Sequence, residues 1–322
     1  MIEPKKRAVD RIYSDLPQDL QSLMKKYCLS DEVDAMERGV EDEHAKVLED
    51  IKAISYFNKA PSDNPTFIIV VGQTGSGKSN LSAEILRKNK KQNIDVVKID
   101  SDEYKAYRSD SLEIQRKFLS KYGFLTAPDS YRHRDEMIVD AMDKKYNILL
   151  EVAPSVKDGL FIDIDKIMQQ GYNVELNVIA VSRLNSLLSI HERYEDQLRS
   201  NYSAAKLTSI SRHDDSYNSL NYAIMKANDK GVAINVYKRG INIPYIPFMI
   251  YSSTDDDKRF RTPLDAINSV RANDERDTIR NFNSRYSIIQ SQMTLRNAPI
   301  EQQNQLHKIG ELYEKLQETR EI

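Results

Sequence analysis

The segment Gly72-Gln73-Thr74-Gly75-Ser76-Gly77-Lys78-Ser79 has the spacing G-x-x-x-x-G-K-S. Glycines at those places let the backbone curl until successive N–H groups point inward, which makes a nest for an anion. A helix starting at the end of the loop adds partial positive charge. The chemistry this predicts is binding of a nucleoside triphosphate. Backbone amides hold the phosphate chain, Lys78 reaches its outer phosphates and Ser79 ligates a magnesium ion. A glycine-rich turn without a ligand would leave the lysine unexplained. ATP and Mg²⁺ are therefore the implied cofactors.

Two acidic positions fall downstream. Asp100-Ser101-Asp102 follows the run Ile94–Ile99, and Glu151 ends the run Tyr146–Leu150. Residues just past the carboxyl ends of strands face the ligand crevice of an α/β sheet. Asp102 is the candidate base that takes the proton of an attacking hydroxyl; its alternative role is to cap the helix that starts near Glu103. Glu151 stands where a metal-holding carboxylate is expected, and its alternative is an ordinary loop acid. A third segment, Ser182 to Glu195, reads as a helix with Arg193 among several charges. Lys206, Thr208, Arg212, His213 and Asp214 follow it. By composition alone, that segment is a solvated charged helix.

The elements that would hold these residues are short β-branched runs: Thr66–Val71, Ile94–Ile99, Asn147–Leu150, Val174–Val181 and, more weakly, Val232–Tyr237 and Phe248–Tyr251. Continuous apolar runs suit parallel strands buried on both faces. Helical stretches between them predict right-handed βαβ units and an α/β sheet. Residues 8–58 read as helical, with Ser30 as a helix cap, and Pro61 and Pro65 break the pattern after them. From Asp255 onward the pattern is again helical, ending in a helix from Ile300 to Glu321. The expected organisation is a helical extension over 1–60, a core domain over 61–254 and a helical extension over 255–322.

Bulk properties exclude other classes. The 322 residues carry a formal net charge of -2, so no global field draws in nucleic acid or an anionic membrane. The tyrosines form no RNA-binding signature. Cys28 is the only cysteine, so no internal disulfide forms, and cytoplasmic residence is expected. No apolar run approaches the roughly 18 residues of a membrane span, and the charged start predicts no secretory signal. The remaining histidines, His44, His133, His191 and His307, lack metal-ligand spacing.

Five ordered blocks between Pro65 and Ser252 resemble the zeta toxin family of P-loop kinases. They are Gly72–Ser79, Ile99–Tyr104, Tyr146–Glu151, Ala180–Ser186 running to Glu192–Glu195, and Ala205–Thr208 running to Arg212–Asp214. The resemblance implies a doubly wound parallel sheet of P-loop kinase type, with helices on both faces and a lid. It implies phosphorylation of the sugar 3′-hydroxyl of UDP-N-acetylglucosamine, and an antitoxin partner that blocks the nucleotide site. It also implies roles for single residues: Lys78 and Ser79 for phosphate and metal, Asp102 as base, Glu151 beside metal and substrate, and Arg193 and Lys206 as clamps on the γ-phosphate. A substrate-contacting glutamate falls at Asp135 or Glu136.

The chain departs from the family pattern at three places. Lys206 replaces an arginine and loses its bidentate fork. Arg108 stands where a histidine is common. Val152-Ala153-Pro154-Ser155 replaces a Gly-Thr pair. The phosphate machinery is therefore expected to be intact and the acceptor pocket altered. Two further readings stay open: a kinase for another acceptor (a metabolite, an antibiotic or a nucleic-acid end), and a nucleotide-binding module without turnover. Residues 8–58 either cover the site in cis or cap the sheet edge.

Overall fold

The apolar runs fold as strands, and the amphipathic stretches between them fold as helices. In chain order the elements of the computed structural model are α1 (His44–Tyr56), β1 (Thr66–Val71), α2 (Lys78–Lys91), β2 (Val96–Ile99), α3 (Ser101–Tyr104), α4 (Ser111–Lys117), α5 (Tyr122–Leu125), α6 (Ala127–Asp143), β3 (Asn147–Val152), α7 (Ile164–Gln169), β4 (Asn173–Ala180), α8 (Arg183–Ser200), α9 (Ile210–Asp229), β5 (Ala233–Lys238), β6 (Phe248–Ser252), α10 (Pro263–Leu295) and α11 (Ile300–Glu318). The structure describes residues 43–118, 122–155, 163–200, 205–240, 246–255 and 259–319. The helical reading of residues 8–42, with the cap at Ser30, lies outside them.

The described residues divide into two compact units. The larger holds 61–96 and 145–319, and the smaller holds 43–60 and 97–144. The sheet runs in the order β2-β3-β1-β4-β5-β6, with β2 contributing Val96 to the larger unit. β1 lies between β3 and β4, parallel to both, with Ile69 opposite Leu150 and Leu176. β5 continues the parallel set on β4. β6 is antiparallel to β5 and pairs through an irregularity at Val236/Tyr237, so the sheet is mostly parallel and not wholly so.

Alternation along β1 shows why it is central. Ile68 and Val70 pack with Leu81 and Ile85 of α2 and with Leu149 and Ile179 of the neighbouring strands. Phe67, Ile69 and Val71 point the other way and are fully buried too, so both sheet faces are covered. A second core lies under the C-terminal helices, where Leu184, Leu187 and Leu188 of α8 meet Phe282, Ile289 and Met293 of α10 and Leu306 and Ile309 of α11. α10 begins with a capping box: the Thr262 hydroxyl accepts from the Asp265 N–H, and the Asp265 carboxylate accepts from the Thr262 N–H.

In the smaller unit α1 packs on α6. His44 and His133 stack with ring centroids 4.4 Å apart. His44 also donates to Glu136 at 3.0 Å, and the Tyr56 hydroxyl donates to Asp140 at 2.6 Å. Arg108 forms a buried ion pair with Asp129 at 2.6 Å. Burial pushes the Asp129 carboxyl up to about 6 in spite of that arginine.

Candidate active site

The glycine-rich loop expected to bind phosphate leaves the carboxyl end of β1 and runs straight into α2. Gly75 and Gly77 sit at φ +80° and +96°, conformations that cost a side-chain-bearing residue about 1–2 kcal/mol. Close approach matters as well. A Cβ on Gly75 would lie 2.2 Å from the Ser186 carbonyl oxygen, so the first turn of α8 lies directly on the loop. Gly77 is the N-cap of α2 and has no side chain to occupy the first-turn N–H groups, which leaves them for an anion.

Lys78 folds back over the loop and donates to the carbonyls of Gly72 and Gln73 at 2.9 and 3.2 Å. Ser79 donates to Glu151 at 3.3 Å. Glu151 sits in register beside Val70, two residues before Gly72. Strand pairing thus brings together two residues 72 positions apart. The hydroxyl and carboxylate are hard oxygen donors of the kind Mg²⁺ takes. No cluster of three or more His, Cys, Asp or Glu among the described residues is placed to hold a metal. A magnesium ion that travels with a nucleotide needs only one or two protein ligands.

The loop motif assigns Gln73 to the nucleotide, but its side chain turns inward. Fully buried, it donates to the Val181 carbonyl at 2.8 Å and to the Ser186 hydroxyl at 3.2 Å. Only its backbone is left for a phosphate. Ser186 Oγ lies 2.8 Å from His213 Nε2, and His213 Nδ1 lies 3.0 Å from Asp214. Asp214 in turn accepts two bonds from Arg183, at 2.8 and 2.7 Å. Burial lowers the His213 pKa against the pull of Asp214, which favours the neutral ring at neutral pH. A neutral ring donates from Nδ1 to Asp214 and accepts at Nε2 from Ser186. The order Ser-His-Asp is that of a hydrolase triad. Ser186 is fully buried under Gln73, however, so these residues hold the phosphate loop to α8 and α9 and attack nothing. Sequence reading misses this network, because its signal is one serine and one His-Asp pair 27 residues apart.

The other expected residues are placed as follows. Arg193 is exposed on α8, and Lys206 is half-buried in the segment between α8 and α9. Arg239, just past the end of β5, lies within 3.9 Å of where a Gly77 side chain would begin, and it donates to Ser189 at 2.8 Å. Asp102, Asp135 and Glu136 belong to the smaller unit. Asp100 caps α3, accepting from the Asp102 N–H at 2.9 Å, so capping is not the work of Asp102. Asp102 pairs with Lys105. Asp135 pairs with Arg134 at 2.7 Å, while Glu136 accepts from His44 and Arg132. Burial works to raise the Glu136 pKa, but those two partners hold it below its ordinary value.

Fold and loop together define a P-loop protein of kinase-like architecture. Its fold is similar to that of a protein of the PezAT toxin–antitoxin system of Streptococcus pneumoniae, with a TM-score of 0.59 at 20% identity over 78% of this chain and 97% of that one. The zeta toxin family profile matches residues 51–245, and the chain belongs to that family. It is 28% identical to toxin zeta of Enterococcus hirae over 48% of this chain and 54% of the relative. It is 26% identical to toxin PezT of S. pneumoniae over 58% and 74%. The chain thus spans little more than half the length of the toxin zeta relative from E. hirae. Among the described residues, no helix is long and apolar enough to cross a membrane.

Proposed function

We propose that this protein is an ATP-dependent kinase that transfers the γ-phosphate to a sugar hydroxyl of a UDP-amino sugar such as UDP-N-acetylglucosamine. The observation that carries this reading is the joined pair of contacts at the loop: Lys78 over the Gly72 and Gln73 carbonyls, and Ser79 on Glu151. A cation over an amide nest, next to two hard oxygen donors, suits a magnesium-bound triphosphate. Lys78 would exchange its two carbonyl partners for phosphate oxygens. Ser79 and Glu151 would hold Mg²⁺, which supplies neutralisation of charge on the β- and γ-phosphates when bound.

Asp102 is assigned as the base. It orients the acceptor hydroxyl and takes its proton as the oxygen bonds to the γ-phosphorus. The bond from that phosphorus to the β–γ bridging oxygen breaks, and ADP leaves. Arg193 and Lys206 are assigned to the charge on the transferring phosphoryl group. Asp135 or Glu136 is assigned to the acceptor. An antitoxin is the proposed protein partner, as the name of the PezAT system implies for its relative.

One observation favours another small acceptor with the same chemistry. Past Glu151 the chain has Val152-Ala153-Pro154-Ser155, and Val152 and Ser155 are buried. No hydroxyl stands within two residues of Glu151 on that side. The test is phosphate transfer from labelled MgATP to a panel of UDP-sugars, with Lys78→Ala and Asp102→Asn as controls. Transfer to a UDP-amino sugar that both substitutions abolish is the expected result. ATP binding without transfer to any UDP-sugar would discard the amino-sugar acceptor.

A further inference from the structure

α8 presents one face to the loop and two to α10 and its C-terminal cap, and the contacts recur along it at helical spacing. Ser186 and Ile190 face the phosphate loop: the Ser186 carbonyl and the Ile190 side chain are what a Gly75 Cβ would strike. Arg193 is seven residues after Ser186. Seven residues turn a helix through nearly two full turns and advance it about 10 Å, so Arg193 leaves α8 on the loop-facing side. Asn185, Ser189 and Glu192 form a second stripe, and Arg285 of α10 binds all three. It donates to Glu192 at 2.6 and 2.7 Å, to Asn185 at 2.7 Å and to Ser189 at 3.2 Å.

The third face carries Glu195, which is 2% exposed and accepts two bonds from Arg296 at 2.8 and 2.6 Å. Asp274 fixes the start of α8 by accepting from the Ser182 N–H and hydroxyl at 2.8 and 2.6 Å. The same helical pair reaches the segment that carries Lys206, where Gln305 donates to the Thr208 carbonyl at 2.7 Å. The family match ends at residue 245, so α10 and α11 lie wholly beyond it.

We infer that the C-terminal helices are a brace that sets the roll and axial position of α8, with Arg285 as the positioning residue for Arg193. This rests on the reading of Arg193 as a phosphate clamp. A forked guanidinium–carboxylate pair fixes direction as well as distance. Arg285 uses that fork on Glu192, one residue before the clamp. A misplacement of 1 Å in a group that touches a transferring phosphoryl can cost about a hundredfold in rate, so a brace of this kind acts on the transition state more than on nucleotide binding.

The test uses the full chain, with MgADP and aluminium fluoride as a mimic of the phosphoryl group in flight, so the acceptor need not be known. Expected is that aluminium fluoride tightens MgADP binding to the wild type, and that Arg193→Gln removes the effect. Arg285→Glu should weaken the fluoride complex about tenfold or more while MgADP alone binds within about twofold of wild type. The retained MgADP affinity shows that the variant has folded. The exchanged pair E192R/R285E should recover most of the loss. Arg285→Glu behaving as wild type while Arg193→Gln loses the tightening would overturn the brace and leave the clamp standing. So would failure of the exchanged pair to recover. A wild type that aluminium fluoride does not tighten, or an Arg193→Gln variant that keeps the tightening, would overturn the clamp reading, and the brace with it.

Discussion

Replacing Gly75 by alanine probes the contact on which the proposed nucleotide site depends. Gly75 sits at φ +80°, and its new methyl carbon would lie 2.2 Å from the Ser186 carbonyl oxygen and 2.9 Å from the Ile190 side chain. Real contacts of this kind do not fall below 3.0 Å, so loop or helix must move by at least 3.0 − 2.2 = 0.8 Å. Neither yields easily. The loop is tied to α8 by Gln73 and Ser186, and α8 is held by Asp274 and by its leucines under α10. Left-handed strain costs about 1–2 kcal/mol and overpacking adds about 1–3 kcal/mol. Gly75→Ala should therefore lose about 2–5 kcal/mol in urea unfolding. MgATP affinity, read by calorimetry, should fall at least about tenfold as the amides leave their positions. Gly171→Ala is the control: Gly171 has φ +84° but nothing within 4 Å among the described residues, so only the strain remains. Equal losses in the two variants would refute the claim that α8 lies on the phosphate loop.

Two further outcomes follow from the same geometry. Glu151→Gln keeps the shape of the side chain but removes the charge beside Ser79, so MgATP should bind about tenfold or more weakly. Metal-free ATP should bind no worse, and calorimetry with and without magnesium separates the two; equal losses would remove Glu151 from the metal. His191 is 1% exposed, and neither ring nitrogen has a hydrogen-bond partner among the described residues. Burial, with Arg296 nearby, pushes it down to about 4. The folded state therefore refuses a proton that the unfolded chain accepts near 6.5, so this histidine lowers stability as pH falls from 6.5 to 4. The loss amounts to about 3 kcal/mol at its limit. His191→Leu should flatten the stability profile across that window, and an unchanged slope would show that His191 is not the group responsible. His133, also pushed down to about 4 by burial, acts in the same direction in the smaller unit, where Asp129 at about 6 opposes it.

What could be read from the chain alone was local. The run Thr66–Val71 and the spacing from Gly72 to Ser79 carry their own physics: β-branched residues favour strand, and glycine is needed where the backbone turns left-handed. The sheet strands and the order of the family blocks were legible for the same reason. The direction of β6 was not, because antiparallel pairing to β5 leaves no mark in a five-residue run. The inward turn of Gln73 and the capping by Asp100 were also hidden. The motif names residues, whereas these depend on where Val181, Ser186 and the Asp102 N–H come to lie.

The strongest dependence on tertiary structure is in α8. Its charges read as a solvated face, yet Glu192 and Glu195 meet arginines 93 and 101 residues further on. An acid on a helix has the same local signature whether it faces water or a buried guanidinium. Only the packing of α10 and α11, driven by apolar burial along α8, decides which of the two it meets.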